Sequence, residues 1–142
     1  MSIDAIRDLV HRYADAVVHQ NEQKWAATWA PEAVWELPRG RSAEGRDAIV
    51  ELWRTATGAL DLAVQTVLNG TATFDGETAS GRWYLQEHVW RPEGTNILLA
   101  YYDDTYAVVD GAWCFTSRRM VSLYRGPADL SGPCTPPPGF RA

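Results

Sequence analysis

The chain has 142 residues, of which 46% are hydrophobic, and it carries a formal net charge of −5. This length is sufficient for one domain with a proper core and too short for two, and the hydrophobic content excludes a disordered chain. The negative charge argues against nucleic-acid binding, which requires a basic surface. No segment approaches the ~20 consecutive apolar residues that span a membrane.

The cysteines and the N-terminus indicate in which cellular compartment the protein is expected. The sequence does not open on a basic segment followed by an apolar stretch, so we expect no signal peptide. Cys114 and Cys134 are far apart and have no CxxC spacing, which is typical of free thiols in a reducing compartment. We therefore expect a cytoplasmic protein. Scattered histidines and the lack of a Gly-rich phosphate loop predict neither a metal ion nor a cofactor.

The first part of the chain predicts three helices and a short strand. Apolar residues recur at three- and four-residue spacing over residues 3–19, which predicts an amphipathic helix. A short helix over residues 23–29 and a strand over residues 33–37 are predicted next, and Pro38 ends the strand. The third helix is predicted at about residues 46–59.

From residue 60 the apolar pattern changes to period two, which predicts strands. Asn69-Gly70 predicts a break or bulge in the first of them. Asp75-Gly76 and Asp110-Gly111 predict tight hairpin turns, since a type I′ turn needs positive φ at both central residues. Helices followed by antiparallel strands predict an α+β fold, with the helices on one side of a curved sheet.

The C-terminal segment differs from the rest of the chain. Four prolines between Pro133 and Pro138 exclude a helix or a central strand there. We therefore predict one domain over residues 1–126 and a Pro-rich tail over residues 127–142. The tail either lies over a cavity mouth or a partner, or stays loose.

Four sequence motifs, in this order and at these spacings, resemble one family. They are RYADAVV in the first helix, W-x(3)-W-x-P-E-A-V-W, G-R-D-A-I and the closing D-G-A-W-C-F. Together they resemble the SnoaL-like branch of the nuclear transport factor 2 superfamily, up to about Tyr124. The resemblance implies a cone-shaped α+β barrel, in which a strongly curved, mostly antiparallel sheet and three N-terminal helices enclose an apolar pocket.

The resemblance leaves the function open. Such proteins include polyketide cyclases, scytalone dehydratase, ketosteroid isomerase, a dehydrochlorinase and non-catalytic binding modules, so the fold does not fix the activity. In the isomerases, a helix-one tyrosine and a strand acid donate hydrogen bonds to the substrate oxygen, and Tyr13 and Asp104 match them. The isomerase base, however, falls on Leu37, and Glu36 would point to the other face of a regular strand.

The dehydratase and dehydrochlorinase mechanism is not matched either. Their acid/base pair, a helix-one carboxylate and a strand histidine, falls on Val18 and Thr66, and neither side chain can transfer a proton. The sequence thus departs from both mechanisms at the residue that abstracts the proton.

Adjacent polar residues on the predicted strands must point to opposite faces. Only one of Glu87 and His88 can enter a cavity, and the pattern leaves open which one. Asp104 is favoured over its neighbour Asp103 as the inward acid because it shares a face with two tyrosines. Burial is expected to raise the pKa of Asp104.

Arg118 and Arg119 are divided between the two faces in the same way. One of them is expected to pair with an inward carboxylate, because a lone buried charge is strongly destabilising.

These arguments give a predicted site. The predicted catalytic residues are Tyr13, Asp104 and His88. The predicted substrate-binding residues are Trp25, Trp35, Leu37, Trp53, Thr66, Tyr102 and Arg118.

Two functions remain compatible with this site. One is a cofactor-independent lyase, isomerase or cyclase acting on a small apolar molecule of polycyclic, aromatic, steroid or polyketide type. The other is a non-catalytic binding or accessory domain with the same cavity. The polar strand residues favour the enzyme, to which we incline, and the absent acid/base pair favours the binding domain. Apolar residues on the outer sheet face predict a homodimer through that face.

Overall fold

The computed structural model describes residues 2–141, which form helices packed against one curved sheet. The helices are α1 (Ile3–His19), α2 (Glu22–Ala26) and α3 (Arg46–Thr57). The strands are β1 (Trp29–Glu36), β2 (Ser42–Glu44), β3 (Leu62–Asp75), β4 (Thr78–Arg91), β5 (Gly94–Val109) and β6 (Ala112–Gly126). The order β2-β1-β6-β5-β4-β3 leaves the sheet open, and β1 pairs with β6 in parallel while the other pairs are antiparallel. The predicted α+β architecture is confirmed.

The helices follow the predicted order, and the largest boundary correction is in α2. The bounds predicted for α1 are confirmed, and its apolar face, which includes Leu9, Tyr13 and Val17, is buried. The second helix ends at Ala26, three residues before the predicted end. The reason is that Trp29 already pairs with Phe115 of β6 and therefore belongs to β1.

One of the two predicted hairpin turns lies where the sequence places it, and the other is shifted by one residue. Asp110 and Gly111 have φ values of 50° and 82°, as a type I′ turn requires. In the β3–β4 hairpin, Asp75 pairs with Thr78, so the turn lies one residue later than predicted, at Gly76 and Glu77.

The predicted break in β3 is a bulge. The strand is continuous, with a register shift between Val67 and Gly70. A Cβ atom at Gly70 would lie 2.2 Å from the Trp83 ring, so only glycine fits beside that indole without a shift.

Aromatic side chains fill the space between the helices and the sheet. Trp25 of α2 stacks on Trp53 of α3, with ring centroids 4.6 Å apart. Tyr13 packs edge-on against Trp29 and Phe115 at centroid distances of 6.0 and 5.4 Å. This cluster supports one wall of the cavity described below.

The Pro-rich tail folds back onto the end of β6. Thr135 N donates to Leu123 O at 2.7 Å, and Cys134 forms an isolated β-bridge with Tyr124. The Tyr124 hydroxyl donates to Pro127 O at 2.7 Å. Both cysteines are free, Cys114 being buried and Cys134 exposed. Among residues 2–141, no helix has the length and apolar character needed to cross a membrane.

Candidate functional site

A cavity of about 120 Å³ lies between α1, α3 and the inner face of the sheet; we call it the inner cavity. Its polar side chains come from the helices, the sheet and a loop: Tyr13, Arg41, Thr57, Gln65, Glu87, Arg91, Tyr102 and Arg125. Its apolar surface includes Val17, Trp35, Leu37, Trp53, Leu60, Val89, Leu98 and Met120. A largely apolar surface with a few convergent polar groups is typical of a small-molecule site.

One end of the inner cavity carries a chain of hydrogen bonds. Trp35 Nε1 donates to the Tyr102 hydroxyl at 3.2 Å, and the hydroxyls of Tyr102 and Tyr13 lie 3.5 Å apart. Each phenol has one proton, and their mutual contact uses only one of the two. One hydroxyl proton therefore remains available to a ligand oxygen.

Both phenols are held in the neutral form. Burial raises the pKa of Tyr13 well above its usual value, and the neighbouring Tyr102 adds to this. Burial likewise raises the pKa of Tyr102, although the positive charge of Arg118 opposes the rise. Tyr13 and Tyr102 are therefore hydrogen-bond donors at neutral pH.

Glu87 is the carboxyl group of the inner cavity. It faces inward from β4, opposite Leu98 of β5 and Gln65 of β3. Gln65 Nε2 donates to Glu87 Oε2 at 2.9 Å, and no side chain among residues 2–141 donates to Oε1. Burial raises the pKa of Glu87, while Gln65, Arg125 and Arg91 partly oppose this. A carboxyl with a raised pKa and a free oxygen is suited to proton transfer.

His88 does not line the inner cavity, so its predicted place in the site is wrong. Its ring lies on the other face of β4, 6.2 Å from the Trp90 ring, with Nε2 at 3.5 Å from Gln86 Nε2. The buried Leu85 and Val89 show which face of β4 points inward. Glu87 lies two residues from each of them and therefore points to the same face. The alternation of the apolar Leu85 and Val89 with polar residues was the sequence signal that could have identified Glu87 as inward.

Thr66 is also misplaced by the sequence argument. It is exposed on the outer face, where it pairs with Gln86, and its neighbour Gln65 enters the inner cavity instead. On α1, Val17 lines the inner cavity and Val18 does not.

Asp104 and Arg118 are buried together, as expected for an inward acid and its arginine. Arg118 Nε donates to Asp104 Oδ1 at 2.8 Å, and Nη2 donates to Oδ2 at 3.2 Å. The Tyr106 hydroxyl donates to Oδ2 at 2.8 Å. Burial raises the pKa of Asp104, which Arg118 and Tyr106 oppose, so the predicted direction is confirmed.

This ion pair supports the wall of the inner cavity without reaching its surface. The Arg118 guanidinium lies 3.9 Å from the Tyr102 ring centroid and 4.5 Å from that of Tyr13. Neither Asp104 nor Arg118 lines the cavity. Their position indicates that they orient the two phenols.

The other predicted contact residues divide into two groups. Trp35, Leu37 and Trp53 line the inner cavity together with Tyr13 and Tyr102. Trp25 does not, because it is fully buried in the aromatic core. Among residues 2–141, no three His, Cys, Asp or Glu residues are grouped as a metal site would require.

Comparisons with known proteins agree with this architecture. The sequence model of the SnoaL-like domain matches residues 1–119. A candidate scytalone dehydratase from Novosphingobium aromaticivorans is 20% identical with a TM-score of 0.84, covering 96% of this chain and 93% of its own. Hexachlorocyclohexane dehydrochlorinase LinA-type3 from Novosphingobium barchaimii is 22% identical with a TM-score of 0.79, covering 95% and 94%.

A third solved structure, a candidate aromatic ring hydroxylase from Novosphingobium aromaticivorans, is 21% identical with a TM-score of 0.80, covering 89% of this chain and 94% of its own. At these identities the likeness extends to the fold alone. No curated protein matches the chain.

Proposed function

Because the chain belongs to the SnoaL-like domain family, we propose that the inner cavity is the active site of a cofactor-independent lyase, isomerase or cyclase. The substrate is a small apolar molecule from which a proton is abstracted. The observation that carries this proposal is the Glu87 carboxyl, which lies inside the same cavity as the phenols of Tyr13 and Tyr102.

Glu87 is the proton-transfer group. Its Oε2 is held by Gln65, which leaves Oε1 to accept a proton from an acidic C–H of the substrate. The pKa raised by burial makes the carboxylate a stronger base than a solvated glutamate. The same carboxyl, once protonated, can return the proton to another atom or to a leaving group.

The phenols stabilise the negative charge that develops on the substrate. From Leu98, which pairs with Glu87, to Tyr102 is four residues along β5, or about 13 Å of strand. Because all three side chains line the same cavity, a substrate bound there can contact both the carboxyl and the phenols. One hydroxyl of the Tyr13–Tyr102 pair donates to the developing oxyanion in a site shielded from water, where such a hydrogen bond is strong.

The size of the inner cavity narrows the proposed substrate. Its volume of about 120 Å³ is below the ~150 Å³ of an engineered protein cavity that binds benzene. The inner cavity thus has room for about one ring of a ligand. A steroid or a polycyclic polyketide would extend beyond it, so we favour monocyclic substrates over the polycyclic ones.

A binding domain without turnover is the second candidate. It is supported by the lining residues, among which, over residues 2–141, there is no histidine to act with Glu87. In that case Glu87 and the phenols would only hydrogen-bond a ligand.

Deuterium exchange tests the enzyme even though the product is not identified. Wild-type protein is incubated in D₂O with a panel of monocyclic ketones, hydroxy ketones and halogenated rings, and mass spectrometry follows deuterium uptake, elimination and isomerisation. We expect accelerated exchange or product formation with at least one compound. Glu87→Gln should reduce that rate by a factor of about 10² to 10⁴, the usual contribution of a general acid–base group.

The adjacent residue offers a matched control. His88→Gln changes the opposite face of the same strand, so its rate should stay close to wild type. Equal rates for wild type and Glu87→Gln would contradict the role of Glu87. A panel that only binds, with no exchange in any compound, would favour the binding domain.

A further inference from the structure

Four arginine side chains line the inner cavity or the space beside it. Arg41, Arg91 and Arg125 line the inner cavity. Arg39, Arg41 and Arg125 line a second space of about 490 Å³, which we call the outer groove. The two spaces share Arg41, Leu98 and Arg125, so they are adjacent. A ligand bound where the two spaces meet would therefore contact these guanidinium groups.

These four arginines lack acidic partners. Among residues 2–141, none of them forms an ion pair with a carboxylate, and Arg91 donates instead to Asn96 Oδ1 at 3.2 Å. The arginines that do form ion pairs are Arg7, Arg12, Arg54, Arg82, Arg118 and Arg119. In a chain whose net charge is −5, these four arginines are thus a local excess of positive charge, which the single carboxylate of Glu87 cannot balance.

The four positive charges influence one another. Loss of hydration lowers the pKa of Arg125, and the charges of Arg91, Arg41 and Arg39 lower it further. Glu87, the carboxyl of the inner cavity, raises the pKa of Arg125, but its effect is smaller than that of any of the three arginines. Like charges kept this close raise the free energy of the empty site, and a bound anion would relieve that repulsion.

The outer groove has walls on two sides. On one side are Pro38 and Arg39, from the loop between β1 and β2. On the other are Pro133 and Thr135 of the tail, which is fixed by the hydrogen bond from Thr135 N to Leu123 O at 2.7 Å. The tail thereby forms part of the outer groove, beside the inner cavity.

We propose that the ligand is an organic anion, a carboxylate or a phosphate ester, whose charged group binds Arg39, Arg41, Arg91 and Arg125. Its apolar ring, of about the size deduced above, occupies the inner cavity. Guanidinium groups suit this task because their planar donors bind carboxylates and phosphates in a bidentate manner. The inference rests on the proposed function only in placing the ligand in the same cavity, and it holds with or without turnover.

Matched ligands test the charge requirement. Isothermal titration calorimetry at about 50 mM salt, where screening is modest, compares phenylacetate, its neutral isostere phenylacetamide, and phenyl phosphate. We expect one or both anions to bind wild type at least about tenfold more tightly than the amide, the usual scale for a charge-assisted pair. Whichever anion binds more tightly identifies the charged group as carboxylate or phosphate.

Two variants test whether the arginines cause the preference for anions. Arg41→Gln/Arg125→Gln should bring the anions to within about threefold of the amide, because two of the four charges are removed. Arg119→Gln is the control: it lies on the same strand as Arg125 but is exposed and pairs with Asp103 on the outer face, so it should keep the wild-type preference. Equal binding of acid and amide, no binding of any probe, or an unchanged preference in the double variant would overturn the proposal.

Glu87→Gln separates this proposal from the catalytic one. The variant removes the negative charge of the cavity but leaves the four arginines, so its preference for anions should be equal to or stronger than that of wild type. An anion preference without turnover would reject the catalytic role and leave the anion site in place. Turnover of neutral substrates without an anion preference would keep the catalytic role of Glu87 and reject the anion site.

Discussion

Arg118 and Asp104 form a bidentate ion pair that is withdrawn from solvent, with side-chain exposures of 1% and 0%. The adjacent acid of the same strand, Asp103, forms its ion pairs on the outer face with Arg82 and Arg119, and all three side chains are at least partly exposed. Two neighbouring acids of one strand thus form ion pairs of the same kind in opposite surroundings. The chain therefore contains its own matched comparison of a buried and an exposed ion pair.

Asp104→Ala should lower the free energy of unfolding by about 3–5 kcal/mol, because it leaves the buried Arg118 charge without a partner. Asp103→Ala should lower it by no more than about 1 kcal/mol, since exposed pairs are screened by water. Urea unfolding followed by tryptophan fluorescence measures both values. Asp104→Leu combined with Arg118→Met should recover part of the loss, because no lone charge remains. Similar effects of Asp103→Ala and Asp104→Ala would contradict this account.

Tyr102→Phe should destabilise the protein more than Tyr13→Phe. The Tyr102 hydroxyl is the acceptor for the buried Trp35 Nε1, and a buried donor left without a partner costs about 1–3 kcal/mol. Tyr13→Phe keeps that hydrogen bond and loses only a contact of 3.5 Å between hydroxyls. The same unfolding measurement applies. In a Trp35→Phe background the difference between the two tyrosine variants should shrink, and an undiminished difference would contradict the assigned hydrogen bond.

Local patterns were sufficient to predict much of the fold. The apolar periodicity of α1 is strong enough to give both of its ends, and Asp110-Gly111 gave the β5–β6 turn because few dipeptides accept positive φ twice. The pairing of one of Arg118 and Arg119 with an inward acid also followed from alternation along the strand and from the free-energy cost of a lone buried charge, and the structure shows that it is Arg118.

The site was predicted less well because it depends on contacts between distant strands. The sequence identified Asp104 as an inward acid, but not that Arg118 and Tyr106 would occupy its oxygens and keep it from the cavity. The bulge between Val67 and Gly70 interrupts the alternation of β3, so the inward phase of Gln65 could not be read from the residues that follow.

A dimer through the outer sheet face remains a prediction. Leu62 and Trp90 are directly opposite each other on β3 and β4, and their relative exposures are 42% and 39%. Light scattering at micromolar concentration should give twice the 15.8 kDa of one chain. Leu62→Glu/Trp90→Glu should shift the protein to the monomer, since it places two charges in an apolar interface. A monomeric wild type would reject the prediction.

Glu87 should make the stability of the protein depend on pH. Burial raises its pKa above the ordinary value of 4.5. Below that value the carboxyl is protonated in the folded and the unfolded chain, so it has no effect on stability. As the pH rises, the unfolded chain releases the proton first, and stability falls until the folded group ionises as well. Glu87→Gln, which has no such proton, should therefore gain stability relative to wild type as the pH rises from 4.5 through the folded pKa of Glu87.

Glu22 provides a control of opposite sign. A hydrogen bond from Arg54 lowers the pKa of this exposed carboxyl, so its contribution is present above 4.5 and is lost as the pH falls through its folded pKa. Glu22→Gln should thus lose stability relative to wild type toward neutral pH, whereas Glu87→Gln gains it. Urea unfolding of the three proteins across this pH range measures both trends. A Glu87→Gln curve parallel to that of wild type would show that the carboxyl is solvated in the folded protein, which would also remove the reason for assigning it the role of base.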